Sequence, residues 1–366
     1  NLWNYYYWGV DYIVDPNEQD FDYNVNEIIT NEASYGEFTY HYTDEVDITL
    51  GIRNYNVEAS AAMNSAFKLY DVFPVSDTDF NTDKGTLNKV NVSYRPSGKN
   101  QNYYFTSSEG YRRGGVNAVP TEGPLAEDTG WVPFESDTVK NIEFGVKGAL
   151  ADGTYYNLSY FMVDWDNPQL NTSTPVNGYY AVVNGDTAQI NGFDVELSGS
   201  AGAIDWNVGY SNKNARLSSD FYTPADTPVL YARSGAKLPG SPDHTFNLNL
   251  AHTSYFGKTD DILSGMGMVN RLDLYAQSST RNYIGDNSAY DAEFDGFNII
   301  NASSTIFNDD MYVSLFIKNL TNERGTTGAF LNEAFGPQPS QGFYGSNSRE
   351  FYALPRTIGF SISRGF

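Results

Sequence analysis

The feature that most constrains this chain is a period-two alternation of apolar and polar side chains that recurs almost throughout it, while helix-period stretches with capping residues are scarce. Val46, Ile48, Leu50 and Ile52 alternate with Asp47, Thr49, Gly51 and Arg53. Ile142, Phe144 and Val146 alternate with Glu143, Gly145 and Lys147, and Phe193, Val195 and Leu197 with Asp194, Glu196 and Ser198. Ile204, Trp206, Val208 and Tyr210, then Phe246, Leu248 and Leu250, repeat the pattern. Each segment therefore reads as a strand with one greasy face and one polar face. A soluble antiparallel sandwich has the same alternation, so length and connections must decide between the two.

Both point to a membrane barrel. Many runs extend for about ten to fifteen residues, against the usual five or six of soluble strands, which suits tilted strands that continue past a bilayer. Short connections at 42–47, 95–101, 150–154, 200–203 and 307–310, with a medium one at 256–267, alternate with longer polar stretches near 15–27, 60–85, 112–137, 167–178, 216–241, 283–294 and 322–354. Short turns on one side and long loops on the other are the pattern of outer-membrane barrels. The expected fold is all-β, an antiparallel transmembrane barrel with about fourteen strands present, the last descending to the short-turn, periplasmic side. That last strand lies in "LPRTIGFSISRGF", where Ile358, Phe360, Ile362 and Phe366 would face lipid and close the cylinder, with Thr357, Gly359, Ser361, Ser363 and Gly365 toward the lumen. Arg364 falls on the lipid side and is tolerable there only near the interface, where it can snorkel.

Composition narrows the function classes. Asp plus Glu number 45 against 22 Lys plus Arg, a net charge of −23, which argues against nucleic acid as a partner. Cys is absent, which removes disulfides, thiol catalysis and Cys-ligated metal and suits an oxidising compartment. No run approaches the eighteen or so apolar residues of a spanning helix, but barrel strands need only every second residue to be apolar. The chain opens on "NLWNYYYWGVDY", with neither an initiator Met nor a signal-peptide pattern, so the reading expects more sequence upstream.

Six stretches, in order, carry a family likeness. "FTYHYTDEVDITLGIRNY", with Gly51, Ile52, Arg53 and Asn54 after its short turn, resembles a strand–turn–strand of TonB-dependent outer-membrane receptors. "KVNVSYRPSGKNQNYYFTSSEGYRRGGVN" resembles that family's next hairpin, and its Ser108–Gly115 end carries Arg113 where the family usually has Pro. "NIEFGVKGALADGTYYNLSYFMVDWDNPQ", "LPGSPDHTFNLNL", "VSLFIKNLTNERG" and "LPRTIGFSISRGF" resemble later elements, so the likeness covers most of residues 36–366.

The resemblance is to the ferric-siderophore type. It implies a 22-stranded barrel around an N-terminal plug that carries the TonB-contacting motif. Neither plug nor motif is recognisable here, so residues 1–366 are expected to be one partial barrel domain, the C-terminal portion of such a receptor. The implied function is active import, in the bacterial outer membrane, of a ferric siderophore that is the transported ligand and not a bound cofactor. The implied partners are the TonB complex through the missing N-terminal region, outer-membrane lipid and lipopolysaccharide, and the barrel-assembly machinery. Haem, cobalamin or oligosaccharide are alternative solutes on the same architecture. Two other readings stand beside it: a passive porin of about fourteen strands, and a surface-binding or adhesin barrel using loops 216–241 and 322–354.

Candidate ligand contacts are Tyr111, Arg112 and Arg113 in "EGYRRGG", where two cations beside a ring could hold an anionic iron chelate. The alternative is that both arginines neutralise acidic neighbours at the rim. Arg281 and Tyr283 in "TRNYIGD" are a second pair, with an aromatic-girdle position as the plainer reading for the ring. Lumen-side Arg53, Arg95, Lys147 and Arg271 would, on the family likeness, meet the plug or the solute; the plainer reading, expected for most of them, is pairing across strands with Asp47, Glu143, Glu196 or Asp273. His41, His244 and His252 lack metal-ligand spacing, and the acidic run "SDTDFNTD" lacks the ligand spacing of a calcium loop. No nucleophile elbow, phosphate-cradling loop or catalytic set is present, so an enzyme is not expected.

Overall fold

The computed structural model describes residues 21–67, 72–119, 121–122, 126–174, 180–224, 228–257, 265–284, 292–330 and 349–365. Its principal element is a 13-stranded antiparallel sheet in which spatial order follows chain order. The strands are β1 (Phe21–His41), β2 (Val46–Phe67), β3 (Val72–Tyr94), β4 (Gln101–Arg112), β5 (Asp137–Ala149), β6 (Tyr155–Asp166) and β7 (Thr187–Ala201). They continue as β8 (Ile204–Leu217), β9 (His244–Tyr255), β10 (Gly267–Gln277), β11 (Phe297–Phe307), β12 (Met311–Lys318) and β13 (Thr357–Arg364). A 12-residue strand such as β4 reaches about 40 Å at about 3.4 Å per residue, enough to cross an apolar band about 25 Å tall at a barrel's tilt.

Register carries one apolar belt across the whole sheet. Tyr40 lies opposite Ile48, Ile48 opposite Val92, Val92 opposite Phe105, Phe105 opposite Phe144, Phe144 opposite Tyr160 and Tyr160 opposite Phe193. The belt continues through Leu197, Val208, Leu248, Leu274 and Ile300. At the last pair Leu315 meets Phe360 and Val313 meets Ile362. Phe360 and Ile362 are 75% and 66% exposed, as side chains on a lipid-facing surface are when no lipid is counted. Phe366 lies outside the described residues.

The opposite face is polar and repeatedly sets an aromatic ring over a cross-strand glycine. A Cβ on Gly145 would fall 2.3 Å from the Tyr104 ring, and one on Gly85 would fall 2.6 Å from the Tyr55 hydroxyl. Tyr104 in turn donates its hydroxyl to Glu143 Oε1 at 2.6 Å. Gly145→Ala is therefore expected to push the ring off its strand and break that bond, costing about 1–3 kcal/mol. A drop in thermal stability of the detergent-solubilised protein, absent in a Gly145→Ala/Tyr104→Ala double variant, checks it.

The short connections are built from side chains that imitate backbone turns. Thr43 Oγ1 accepts from the amides of Glu45 (3.2 Å) and Val46 (3.0 Å), and Asn308 Oδ1 from those of Asp310 (3.0 Å) and Met311 (2.8 Å). At the Asp152 turn the Thr154 amide donates to Oδ1 at 2.9 Å. That amide and the Thr154 hydroxyl hold the Asp152 carboxyl below its ordinary pKa.

Two expectations are corrected. The polar stretch 60–85 is not a long loop: β2 and β3 continue as one ladder to Phe67 and from Val72, and β1 already begins at Phe21, inside the stretch 15–27. The reason is that inward Val57, Ala59, Ala61 and Met63 are buried, so this polar-looking hairpin has a face to bury after all. The lumen-side cations also do not all pair across strands. Arg95 takes Asp47, but Lys147 stands opposite Asn102 and Asn157 and meets no carboxylate among the described residues.

Candidate functional site

The packed core of this protein lies at the long-loop end, where the connections fold on one another. Between β4 and β5, Gly115–Val116 pairs with Pro133–Phe134, and a single 3-10 turn at Thr129–Trp131 is capped by Asp128, whose Oδ1 accepts from the Gly130 amide at 2.8 Å. Between β6 and β7, Gln169–Ser173 pairs with Tyr180–Asn184. Between β8 and β9, Phe221–Tyr222 pairs with Leu230–Ala232, and between β10 and β11, Thr280–Arg281 pairs with Glu293–Phe294. Apolar residues of all four connections form one buried cluster, including Val119, Trp131, Leu170, Phe221, Leu238 and Ile284. Such loops form a platform, because burial as well as chain connectivity fixes them.

Polar side chains lock the platform together. Asn117 joins two connections: its Nδ2 donates to the Trp131 (2.8 Å) and Val182 (2.6 Å) carbonyls, and its Oδ1 accepts from the Val182 amide at 2.8 Å. Asn184 accepts from the Glu135 amide at 2.7 Å and returns a bond to the Glu135 carbonyl at 2.9 Å. Beside β8, Asp243 receives Arg216 and Lys237, each at 3.1 Å. Burial alone would raise the Asp243 carboxyl, but the two cations outweigh it and its pKa lies below the ordinary value. A lowered folded-state pKa contributes stability that is complete above the unfolded value of about 3.9 and is lost as pH falls through the folded one. Protease cleavage within 218–243 is therefore expected to rise below about pH 4, and an Asp243→Asn variant should show that sensitivity already at neutral pH.

Of the sequence candidates, the side chains of Arg112 and Tyr283 reach this platform, while those of Tyr111 and Arg113 turn to the barrel strands β2 and β1. Arg112, the last residue of β4, lies opposite Asp137, the first of β5, in register. Its guanidinium clamps the Asp137 carboxylate through Nε (2.9 Å) and Nη2 and lies over the Trp165 ring at 5.0 Å. Asp137 is almost fully buried and also accepts from Trp165 Nε1 (2.9 Å) and the Gln169 amide (3.1 Å). Arg113 instead reaches Glu27 on β1 at 2.9 Å, and Tyr111 stacks on Tyr55 with ring centroids 3.7 Å apart. Tyr283 meets Thr172 Oγ1 at 3.2 Å and packs edge-on to Tyr231, whose hydroxyl also reaches Thr172, at 2.5 Å. The Arg281 carbonyl accepts from the Gly240 amide at 2.8 Å.

Both candidate segments thus touch one hairpin. Arg112 Nη2 donates to the Gln169 carbonyl at 3.2 Å, Gln169 Nε2 donates to the Arg113 carbonyl at 2.7 Å, and Thr172 of the same strand carries the two tyrosines. Sequence reasoning missed Asp137, Trp165, Gln169, Thr172 and Tyr231. The signal that would have found Asp137 is the β4–β5 register.

A TonB dependent receptor-like β-barrel family model matches residues 1–320 of the chain. The chain belongs to the TonB-dependent receptor β-barrel family. Barrels of this family are bacterial outer-membrane proteins. The pesticin receptors of Yersinia enterocolitica and Yersinia pestis are 27% identical over 129 residues, which is 35% of this chain and 18% of theirs. Among solved structures, the ferric yersiniabactin uptake receptor of Yersinia pestis superposes with a TM-score of 0.73 at 19% identity over 96% of this chain and 48% of its own. A siderophore receptor from Acinetobacter baumannii gives 0.66 at 15% identity, over 94% of this chain and 44% of its own. The ferric-catecholate import receptor of Escherichia coli K12 gives 0.64 at 17%, over 93% and 45%. These likenesses carry the fold, and the TonB-dependent barrel described here spans about half the length of those solved chains.

Proposed function

We propose that this chain is the C-terminal barrel portion of an outer-membrane receptor that captures a ferric siderophore on its loop platform and imports it with energy delivered by TonB. The observation that carries this reading is the hairpin Gln169–Ser173, which joins the Arg112–Arg113 segment to the Tyr231–Tyr283 pair in one packed surface at the long-loop end. Long loops face outward in this architecture, so the surface stands where a solute arrives. Arg112 and Arg113 are each paired with a carboxylate, Asp137 and Glu27, as the rim-neutralising alternative expects, so the platform offers a chelate its Tyr231 and Tyr283 rings, which suit aromatic ligand groups. The names of the similar proteins support the same substrate class: three are receptors for ferric or siderophore ligands.

On this reading, capture is followed by rearrangement of a plug, and the solute undergoes no covalent change. The partners would be the TonB complex reached through an N-terminal region, surrounding lipid and lipopolysaccharide, and the barrel-assembly machinery. Calorimetric titration of a panel of ferric siderophores, haem and cobalamin onto the receptor purified from its native membrane tests the substrate class. Saturable binding of one ferric siderophore is expected. Binding of haem or cobalamin alone would reassign the solute, and open-channel conductance in liposomes with no ligand bound would replace the reading with a passive porin.

A further inference from the structure

The charge of the loop platform limits which iron chelates it can take. By sequence, the four connections that build it, 113–136, 167–186, 218–243 and 278–296, carry twelve carboxylates against four cations. The fifth long connection, 319–356, is balanced at three of each. None of the four cations stands free: Arg113 is held by Glu27 and Lys237 by Asp243, and Arg233 and Arg281 are engaged as well. The two cations at the adjoining strand ends are also paired, Arg112 with Asp137 and Arg216 with Asp243. What is left over is negative. Glu135 and Asp186 are exposed and meet no cation among the described residues. Both flank the Gln169–Ser173 hairpin, where the Glu135 carbonyl accepts from Gln169 Nε2 at 3.0 Å and the Asp186 carbonyl from the Asn167 amide at 2.9 Å.

The recognition rings point the same way. Tyr231 and Tyr283, 5.8 Å apart, carry negative π faces, which attract a cation, tolerate a neutral group and repel an anion laid over them. We propose that the solute is a ferric chelate without net negative charge, neutral or cationic, and that trianionic tricatecholate complexes are rejected; this rests on the transport reading above. The platform selects before contact is made. At about 10 mM ionic strength the Debye length is about 30 Å, so an anion is repelled on approach and a cation is drawn in. The expectation that Arg112 and Arg113 hold an anionic chelate is thereby reversed.

One scaffold in three charge states tests this. Ferrioxamine B, a ferric trihydroxamate, carries a pendant ammonium; acetylating that amine gives a neutral complex and succinylating it an anionic one. Their association with the intact receptor purified from its outer membrane is followed by stopped-flow quenching of protein fluorescence, beside ferric enterobactin as the trianionic tricatecholate. At about 10 mM salt the cationic form should associate about tenfold faster than the succinylated one, and the gap should close at about 1 M, where the Debye length falls to about 3 Å. A Glu135→Gln/Asp186→Asn variant should narrow the low-salt gap. An unchanged gap would place the field elsewhere in the receptor and overturn its assignment to this platform. Faster association of the succinylated form, or ferric enterobactin binding that weakens with salt, would overturn the proposal and leave the transport reading standing. Binding of none of the four would overturn it as well, and if no ferric siderophore is taken up at all the transport reading falls with it.

Discussion

Replacing Arg112 with alanine is expected to open the loop platform at a cost of about 3–5 kcal/mol, because it leaves the Asp137 carboxylate buried without its counter-charge. Trp165 and the Gln169 amide would still donate to that carboxylate, yet neither carries charge. Amide exchange in Gln169–Ser173 reports the opening, and a loss of 3 kcal/mol accelerates it by roughly a hundredfold or more. Arg113→Ala leaves behind a Glu27 carboxylate that is 39% exposed, against 2% for Asp137, so it should cost about 1 kcal/mol or less. Arg112→Lys should recover little, since an ammonium group cannot supply the fork that grips Asp137 or the plane that stacks on Trp165. Equal effects at Arg112 and Arg113 would contradict the geometry.

Trp131→Ala should be comparably severe through a different mechanism. The ring is 2% exposed within the cluster formed by four connections, and truncating a buried tryptophan costs about 3–5 kcal/mol in lost transfer energy and cavity. The belt of lipid-facing residues is untouched, so the sheet itself should persist. The expected result is rapid proteolysis within 113–136 and 218–243 while the barrel keeps its resistance to unfolding in detergent. Loss of the whole fold would mean that platform and sheet are one cooperative unit.

The sheet was legible because lipid on one side and lumen on the other force every strand to alternate, and runs such as Val46–Ile52 and Thr357–Arg364 do so plainly. The upper part of the β2–β3 hairpin was not legible. Its residues are small or polar, and its strand character rests on pairings such as Val57 with Asp83, which no local pattern announces. The candidate site divides in the same way. Arg112 and Tyr283 stand out as cation and ring in polar stretches, but their partners Asp137 and Thr172 are ordinary in sequence. Had the register that sets Tyr103 opposite Val146 been followed outward, it would have reached Arg112 opposite Asp137. Thr172 joins Tyr283 only through loop packing, and no periodicity encodes that.

The most direct test of the central claim is uptake of iron-55-labelled ferric siderophores by cells whose only siderophore receptor is this protein, measured with and without TonB. Accumulation of one siderophore that disappears when TonB is deleted is expected. Accumulation that is indifferent to TonB, or none for any ferric siderophore, would contradict it.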